Sequence, residues 1–119
     1  METTIIAKQR MILMRVSGEI DHHEATRIRD KLEREIKRSG AVNIALDFGC
    51  VSFMDSSGIG MIIGRYKTVK ALGGELIVFG ADEQIKRILG MSGLGSLIII
   101  CDTLGQGLSK LNKSRGVKI

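Results

Sequence analysis

The chain contains no proline and no tryptophan, and only three phenylalanines and one tyrosine among its 119 residues. Without proline, the turns fall to glycine, present in 15 copies. With so few rings, the core must be aliphatic, built from Ile, Leu, Val and Met. Two cysteines, Cys50 and Cys101, are too few for a disulfide framework, and no C-x-x-C occurs. Both sit in apolar stretches, so reduced thiols in a cytoplasmic protein are expected. The start of the chain lacks the basic region, apolar run and small-residue cleavage site of a signal peptide. The apolar run Leu97-Ile98-Ile99-Ile100-Cys101 is far too short to span a bilayer, and no membrane contact is expected.

Charge of one sign is also not concentrated anywhere. Eighteen basic and 13 acidic residues give +5, but they interleave, as in Arg27-Ile28-Arg29-Asp30-Lys31-Leu32-Glu33-Arg34. Such stretches read as solvated helix faces. Proteins that hold single-stranded nucleic acid stack bases on aromatic rings, and this chain has almost none, so no direct nucleic-acid contact is expected. An acidic protein partner would suit the charge equally well.

What is present is alternation. Thr4 to Lys8 and Met11 to Ser17 read as two strands joined by a tight turn, and Ser17 to Asp21 as a loop. From His22 to Ser39, Ala25, Ile28, Leu32 and Ile36 recur at helical spacing. Asp21 is placed to cap this helix, with Glu24 as a capping box, and Gly40 ends it. Val42 to Asp47 reads as a strand and Gly49 to Asp55 as a connection. Ser57 to Leu72 reads as a second helix, with Ile59, Ile62, Ile63, Tyr66 and Val69 as its buried stripe. Gly60 and Gly64 share one of its faces, which permits close packing or leaves a shallow surface. Glu75 to Phe79 is a strand. Asp82 caps a third helix that turns Ile85, Ile88 and Leu89 inward, and Met91 to Leu94 is a loop. Leu97 to Cys101 is the last strand and Thr103 to Lys113 the last helix. Residues 114–119 read as a frayed tail.

Strands alternating with helices predict an α/β fold: one domain over residues 1–119, about four helices, and a mixed, mostly parallel sheet that begins with a hairpin. In such sheets, sites collect at the carboxyl ends of strands. That expectation puts Ser17 to Asp21, Asp55 to Gly60 and Met91-Ser92-Gly93 on one rim.

The most informative stretch is Val51-Ser52-Phe53-Met54-Asp55-Ser56-Ser57-Gly58-Ile59-Gly60. Asp55 and Ser56 are helix-capping types, and glycines keep the first turn bare. A helix start of this kind favours anions. By spacing alone the stretch is either a plain cap or a serine hydroxyl beside an anion site. As a nucleophile, Ser56 or Ser57 would need a base, and His22 and His23 are the only histidines. No G-x-S-x-G elbow is present. Neither phosphate-binding glycine motif occurs, and no cluster has metal-ligand spacing. Neither catalysis nor a cofactor or metal is expected.

Gly18-Glu19-Ile20-Asp21-His22-His23, Ser52-Phe53-Met54-Asp55-Ser56-Ser57-Gly58-Ile59-Gly60, Gly64-Arg65-Tyr66-Lys67, Gly73-Gly74-Glu75 and Met91-Ser92-Gly93-Leu94 occur in this order. In these segments the chain resembles the anti-sigma factor antagonists of the STAS superfamily, and most of all their sporulation branch. The Met-Asp-Ser-Ser-Gly core carries the family likeness. The Asp-His-His and Gly-Arg-Tyr-Lys pieces favour the sporulation members over the general stress-response antagonists. The resemblance implies a single STAS-type domain and a cytoplasmic regulator, monomeric when free, that is not an enzyme. It implies an unphosphorylated form that binds an anti-sigma factor, itself a serine kinase, and so frees a sporulation sigma factor. The kinase, using ATP, would phosphorylate Ser56 and end the binding, and a serine phosphatase would restore it. Asp21, Asp55, Ser56, Ser57, Gly58, Ile59 and Gly60 would meet the partner, with Asp21 contacting a partner base or positioning the kinase's catalytic groups, or else only capping its helix. The alternative is a STAS module of a general stress-response switch or signalling scaffold.

Overall fold

The computed structural model describes residues 1–114. Strands β1 (Glu2–Ile6), β2 (Met11–Ile20), β3 (Asn43–Met54), β4 (Leu76–Phe79) and β5 (Ile99–Cys101) form one sheet in the order β1-β2-β3-β4-β5. Only β1 runs antiparallel to its neighbour; the other pairings are parallel. Helices α1 (His22–Ser39), α2 (Ser56–Ala71), α3 (Glu83–Met91) and α4 (Leu104–Ser114) connect and follow the strands. The expected hairpin, mixed sheet and four helices are therefore present among the described residues.

Side chains alternate across a strand, and here the alternation separates two apolar layers. Ile12, Met14, Ile44, Leu46, Leu76 and Val78 pack with residues of α1, α2 and α3. Met11, Ala45 and Ile77 belong to a second cluster with Cys101 and Leu111 of α4. The core is aliphatic, as the composition requires, with Phe48 its one fully buried ring.

At one end of the sheet, buried Asn43 joins three segments. Its Nδ2 donates to the Gln9 carbonyl at 2.8 Å, and its Oδ1 accepts from Glu75 N–H at 2.8 Å. These are the approaches to β2 and β4, so one side chain aligns the starts of three parallel strands.

Several boundaries differ from the sequence expectation. The first strand lies earlier than Thr4 to Lys8, because Ala7–Gln9 forms a 3-10 turn and Arg10 takes the left-handed conformation (φ 50°). The stretches expected as a loop (Ser17 to Asp21) and a connection (Gly49 to Asp55) are strand up to Ile20 and Met54. They pair with each other, Ser17 with Cys50 and Ile20 with Met54, beyond the Asp47–Phe79 pair where β3 leaves β4. Two register shifts, with Gly18 at φ 81°, break the apolar alternation that would have revealed this ribbon. The last strand starts only at Ile99, because Leu94–Ser96 is a second 3-10 turn. Ser114 is the end of α4 rather than tail, and the rest of the expected tail lies outside the described residues.

The buried face of α2 is also turned from expectation. Gly58, Met61, Ile62, Arg65 and Val69 are buried, while Ile59, Ile63 and Tyr66 are only partly so. The helix packs on α1 as well as on the sheet, and this draws in a second row of residues. Gly60 and Gly64 have no atom within 4 Å of a Cβ built on them, so their face is open rather than closely packed. Gly64→Ala is expected to stabilise the protein by about 0.5–1 kcal/mol, because glycine costs that much within a helix; chemical denaturation measures it.

Cys50 is exposed, contrary to the apolar surroundings expected for it, because it lies on the ribbon beyond the core. Cys101 is buried, and desolvation pushes its thiol pKa up. A thiol reagent should label Cys50 at once and Cys101 only on unfolding; two rapidly reacting thiols in the native protein would contradict this.

Candidate functional site

The parallel pairing of Ile20 with Met54 sets the site. Each strand ends there, and the next residue caps a helix. Asp21, extended at φ −88° and ψ −173°, accepts Glu24 N–H on Oδ1 at 2.9 Å and starts α1. Asp55, at φ −101° and ψ −171°, accepts Ser57 N–H on Oδ1 at 2.8 Å and starts α2. The Asp55 N–H bonds Ile20 O at 3.3 Å, which ties the two caps together. Two carboxylates and two helix N-termini, each carrying a partial positive charge, therefore share one rim.

Ser56 is the first residue of α2 and is exposed. Its hydroxyl makes no hydrogen bond among the described residues. Ser57 is half-buried, with Oγ 3.5 Å from His22 Nδ1. This is the one place where a serine and a histidine approach, and no carboxylate hydrogen-bonds either histidine among the described residues. A nucleophilic triad is not assembled. Neither do three His, Cys, Asp or Glu side chains gather as metal ligands among the described residues.

Gly58 is buried and does not face outward. A methyl built there would overlap Met54 Cγ and lie 3.2 Å from Ile20 Cγ2. Its bare backbone lets the first turn of α2 sit on the ends of β2 and β3, which is how Ser56 comes to its exposed position. Ile59 is half-buried and Gly60 exposed. Phe53, which the sequence did not single out, is 46% exposed on the adjoining strand end, paired with exposed Glu19. Its signal was present: a large ring in the segment leading into the serines of a chain almost without rings.

Met91-Ser92-Gly93 does not join this rim. Helix α3 starts after the carboxyl end of β4 and runs back, so Met91 closes it at the opposite end of the sheet. Arg65, which nothing in the sequence marked for burial, is 9% exposed, between α1 and α2.

Asp21→Asn separates the two expected roles of that residue. Asparagine caps as well as aspartate does, so stability should change by less than about 0.5 kcal/mol in thermal melts. Asp21→Ala should cost about 1 kcal/mol.

A protein-family model for the STAS domain matches residues 3–107. An anti-sigma F factor antagonist from Paenibacillus polymyxa is 38% identical over 101 residues, covering 85% of this chain and 86% of its own. An anti-sigma-B factor antagonist from Bacillus subtilis (strain 168) is 35% identical over 89 residues, covering 75% of this chain and 80% of its own. The anti-sigma factor antagonist SpoIIAA, in its unphosphorylated form, superimposes with a TM-score of 0.73 at 24% identity, with 98% of each chain covered. The Bacillus cell fate determinant SpoIIAA in its phosphorylated form gives 0.71 at 28% identity, over 92% of this chain and 96% of that one. With the family model spanning most of the chain and relatives of this similarity, the chain belongs to the anti-sigma factor antagonists of the STAS domain family.

Proposed function

We propose that this chain is a phosphorylation-controlled partner switch. The unmodified rim binds an anti-sigma factor that is also a serine kinase, and the sporulation sigma factor held by that protein is released. The kinase transfers the γ-phosphoryl group of ATP to the Ser56 oxygen, ADP leaves, and the contact is lost. A serine phosphatase hydrolyses the ester and restores the binding form. In this reading the chain is a substrate of enzymes rather than an enzyme, works in the cytoplasm and is monomeric when free.

The observation that carries the proposal is the Ser56 hydroxyl: exposed, without a hydrogen bond among the described residues, and seated on a helix N-terminus at the rim that also holds the two capping carboxylates. A phosphate adds about −1.5 to −2 charges and three acceptor oxygens. A helix N-terminus tolerates them, because free N–H groups and the dipole face them. A docked partner does not, because Asp21 and Asp55 already make the rim acidic and burying further ill-paired charge costs several kcal/mol in effective terms. That a relative has been solved in both phosphorylated and unphosphorylated forms supports the same reading. Asp21, Asp55, Ser56, Ser57, Ile59 and Gly60, with Phe53, form the docking surface, and Gly58 supports it from beneath.

Incubating the chain with the anti-sigma kinase and ATP, then mapping the added mass, tests this directly. The mass is expected on Ser56; a mass on Ser57 alone overturns the assignment. The anti-sigma-B relatives favour a second reading, a general stress-response switch with the same chemistry. Pull-downs with anti-sigma F and anti-sigma-B kinases side by side distinguish the two.

A further inference from the structure

Charge is sorted along the strand axis. At the carboxyl ends of the parallel strands, Asp21, Asp55, Asp82 and Asp102 each follow a strand. The opposite end is formed by the β1–β2 turn, the last turns of the helices and the connections into β3, β4 and β5. It is basic: Lys8, Arg10, Lys37, Arg38, Lys70 and Lys113 are exposed there. The acids at this end, among the described residues, are Glu35 and Glu75, and each is paired, with Arg38 and with Lys70. Lys8, Arg10, Lys37 and Lys113 have no ion pair among the described residues.

The same end holds most of the large apolar side chains that are exposed among the described residues. Phe53 is on the switch rim, but Leu72 stands between α2 and β4, Met91 ends α3, Leu97 leads into β5, and Ile5 lies one residue from the end of β1. Met91 is 82% exposed. From Ile88 to Cys101 no residue is charged. Bases near helix C-termini complement the helix dipole, which accounts for Lys37, Arg38, Lys70 and Lys113. It does not account for Lys8 and Arg10, which lie in the turn, or for the apolar side chains. Arg10 stands at φ 50°, so a base occupies a position where glycine would be unstrained.

Exposed apolar side chains in company mark a protein or a membrane contact. Here they project singly from connections, with long basic side chains around them. A protein surface would need a pocket for each, whereas a soft anionic interface admits them all. We propose that this end docks on the surface of an anionic lipid bilayer. Leu72, Met91 and Leu97 enter the headgroup layer, and Lys8, Arg10 and Lys37 meet the lipid phosphates. No helix among the described residues is long and apolar enough to cross a membrane, so the chain lies on the bilayer and does not span it. The expectation of no membrane contact rested on the lack of a spanning segment, and a surface assembled from several connections leaves no such mark in the sequence. Docked in this way, the switch rim faces away from the bilayer, and the inference stands whether or not Ser56 is the switch.

The test is co-sedimentation of the full chain with phosphatidylcholine vesicles and with vesicles of phosphatidylcholine and phosphatidylglycerol in equal parts. Sedimentation is expected with the anionic vesicles only, and should fall as salt is raised. Arg10→Gly removes a base and relieves the backbone, so it should fold and bind about fivefold more weakly. Met91→Ser, at an exposed position, should weaken binding about tenfold, and Met91→Leu should keep it. Arg15→Ala removes an exposed base further along β2 and should change binding less than about twofold. Circular dichroism checks that each variant is folded. The absence of sedimentation with anionic vesicles, equal losses for Arg10→Gly and Arg15→Ala, or parental binding by Met91→Ser overturns the proposal. So does binding of polyglutamate without binding of anionic vesicles, which assigns this end to an acidic protein.

Discussion

Ser56→Ala is expected to fold, capture the anti-sigma kinase of the proposed switch and remain bound when ATP is added. The Ser56 side chain is exposed and makes no hydrogen bond among the described residues, and alanine is well accepted in a first helical turn, so stability should change by less than about 0.5 kcal/mol. Asp55 keeps its bond to Ser57 N–H, so the helix start survives. Ser56→Asp should fold equally well, because acids are favoured at that end of a helix. It should nevertheless bind at least about 100-fold more weakly. An added carboxylate buried without a partner costs about 3 kcal/mol or more, and each 1.4 kcal/mol is about tenfold. Calorimetric titration of parent, Ser56→Ala and Ser56→Asp with the kinase measures this. If Ser56→Asp binds like the parent, charge is not the switch.

The second large effect is on stability, and it lies at the other end of the sheet. Gly74→Ala is expected to cost about 3 kcal/mol, at the upper end of ordinary overpacking. A methyl there would overlap the Val42 carbonyl oxygen and come within 2.9 Å of Asn43 Oδ1. Neither atom can give way easily. The Val42 oxygen is backbone, and Asn43 Oδ1 holds Glu75 N–H while its Nδ2 holds the Gln9 carbonyl. Gly74 N–H itself bonds Val69 O at 2.7 Å, which fixes the exit from α2. Moving any of these disturbs the starts of β3 and β4 together. Against a total of about 5–15 kcal/mol for a domain, the loss lowers the thermal midpoint by about 10 °C. Urea unfolding should show a lower midpoint at unchanged slope. The contrast is Gly64→Ala, the same chemical change on an open helix face, which should stabilise. Equal effects at the two positions would show that local propensity, not packing, dominates.

Local information was legible in the chain. Asp21, Asp55 and Asp82 were expected as caps and each accepts a backbone N–H in the first turn of its helix. Capping needs only residues adjacent in sequence, so the pattern survives without knowledge of the fold. Of the stripe Ala25, Ile28, Leu32 and Ile36, the first three are buried and Ile36, near the end of the helix, is partly so. The alternation of strands and helices restricted the architecture to a mostly parallel sheet, and the motif core pointed to Ser56 and its neighbours.

What the chain alone decided, then, is which segments are helices, where they begin, and that a serine opens the second of them. Tertiary structure decided which neighbour each segment meets. Ser17–Ile20 and Cys50–Met54 become strand only because each supplies the other's hydrogen-bond partners. Arg65 becomes buried because α1 packs over it, Gly58 because two strand ends rise beneath it, and Met91 is carried to the opposite rim by the direction of α3. These outcomes depend on contacts between residues far apart in sequence, and a local pattern of residue types holds no record of them.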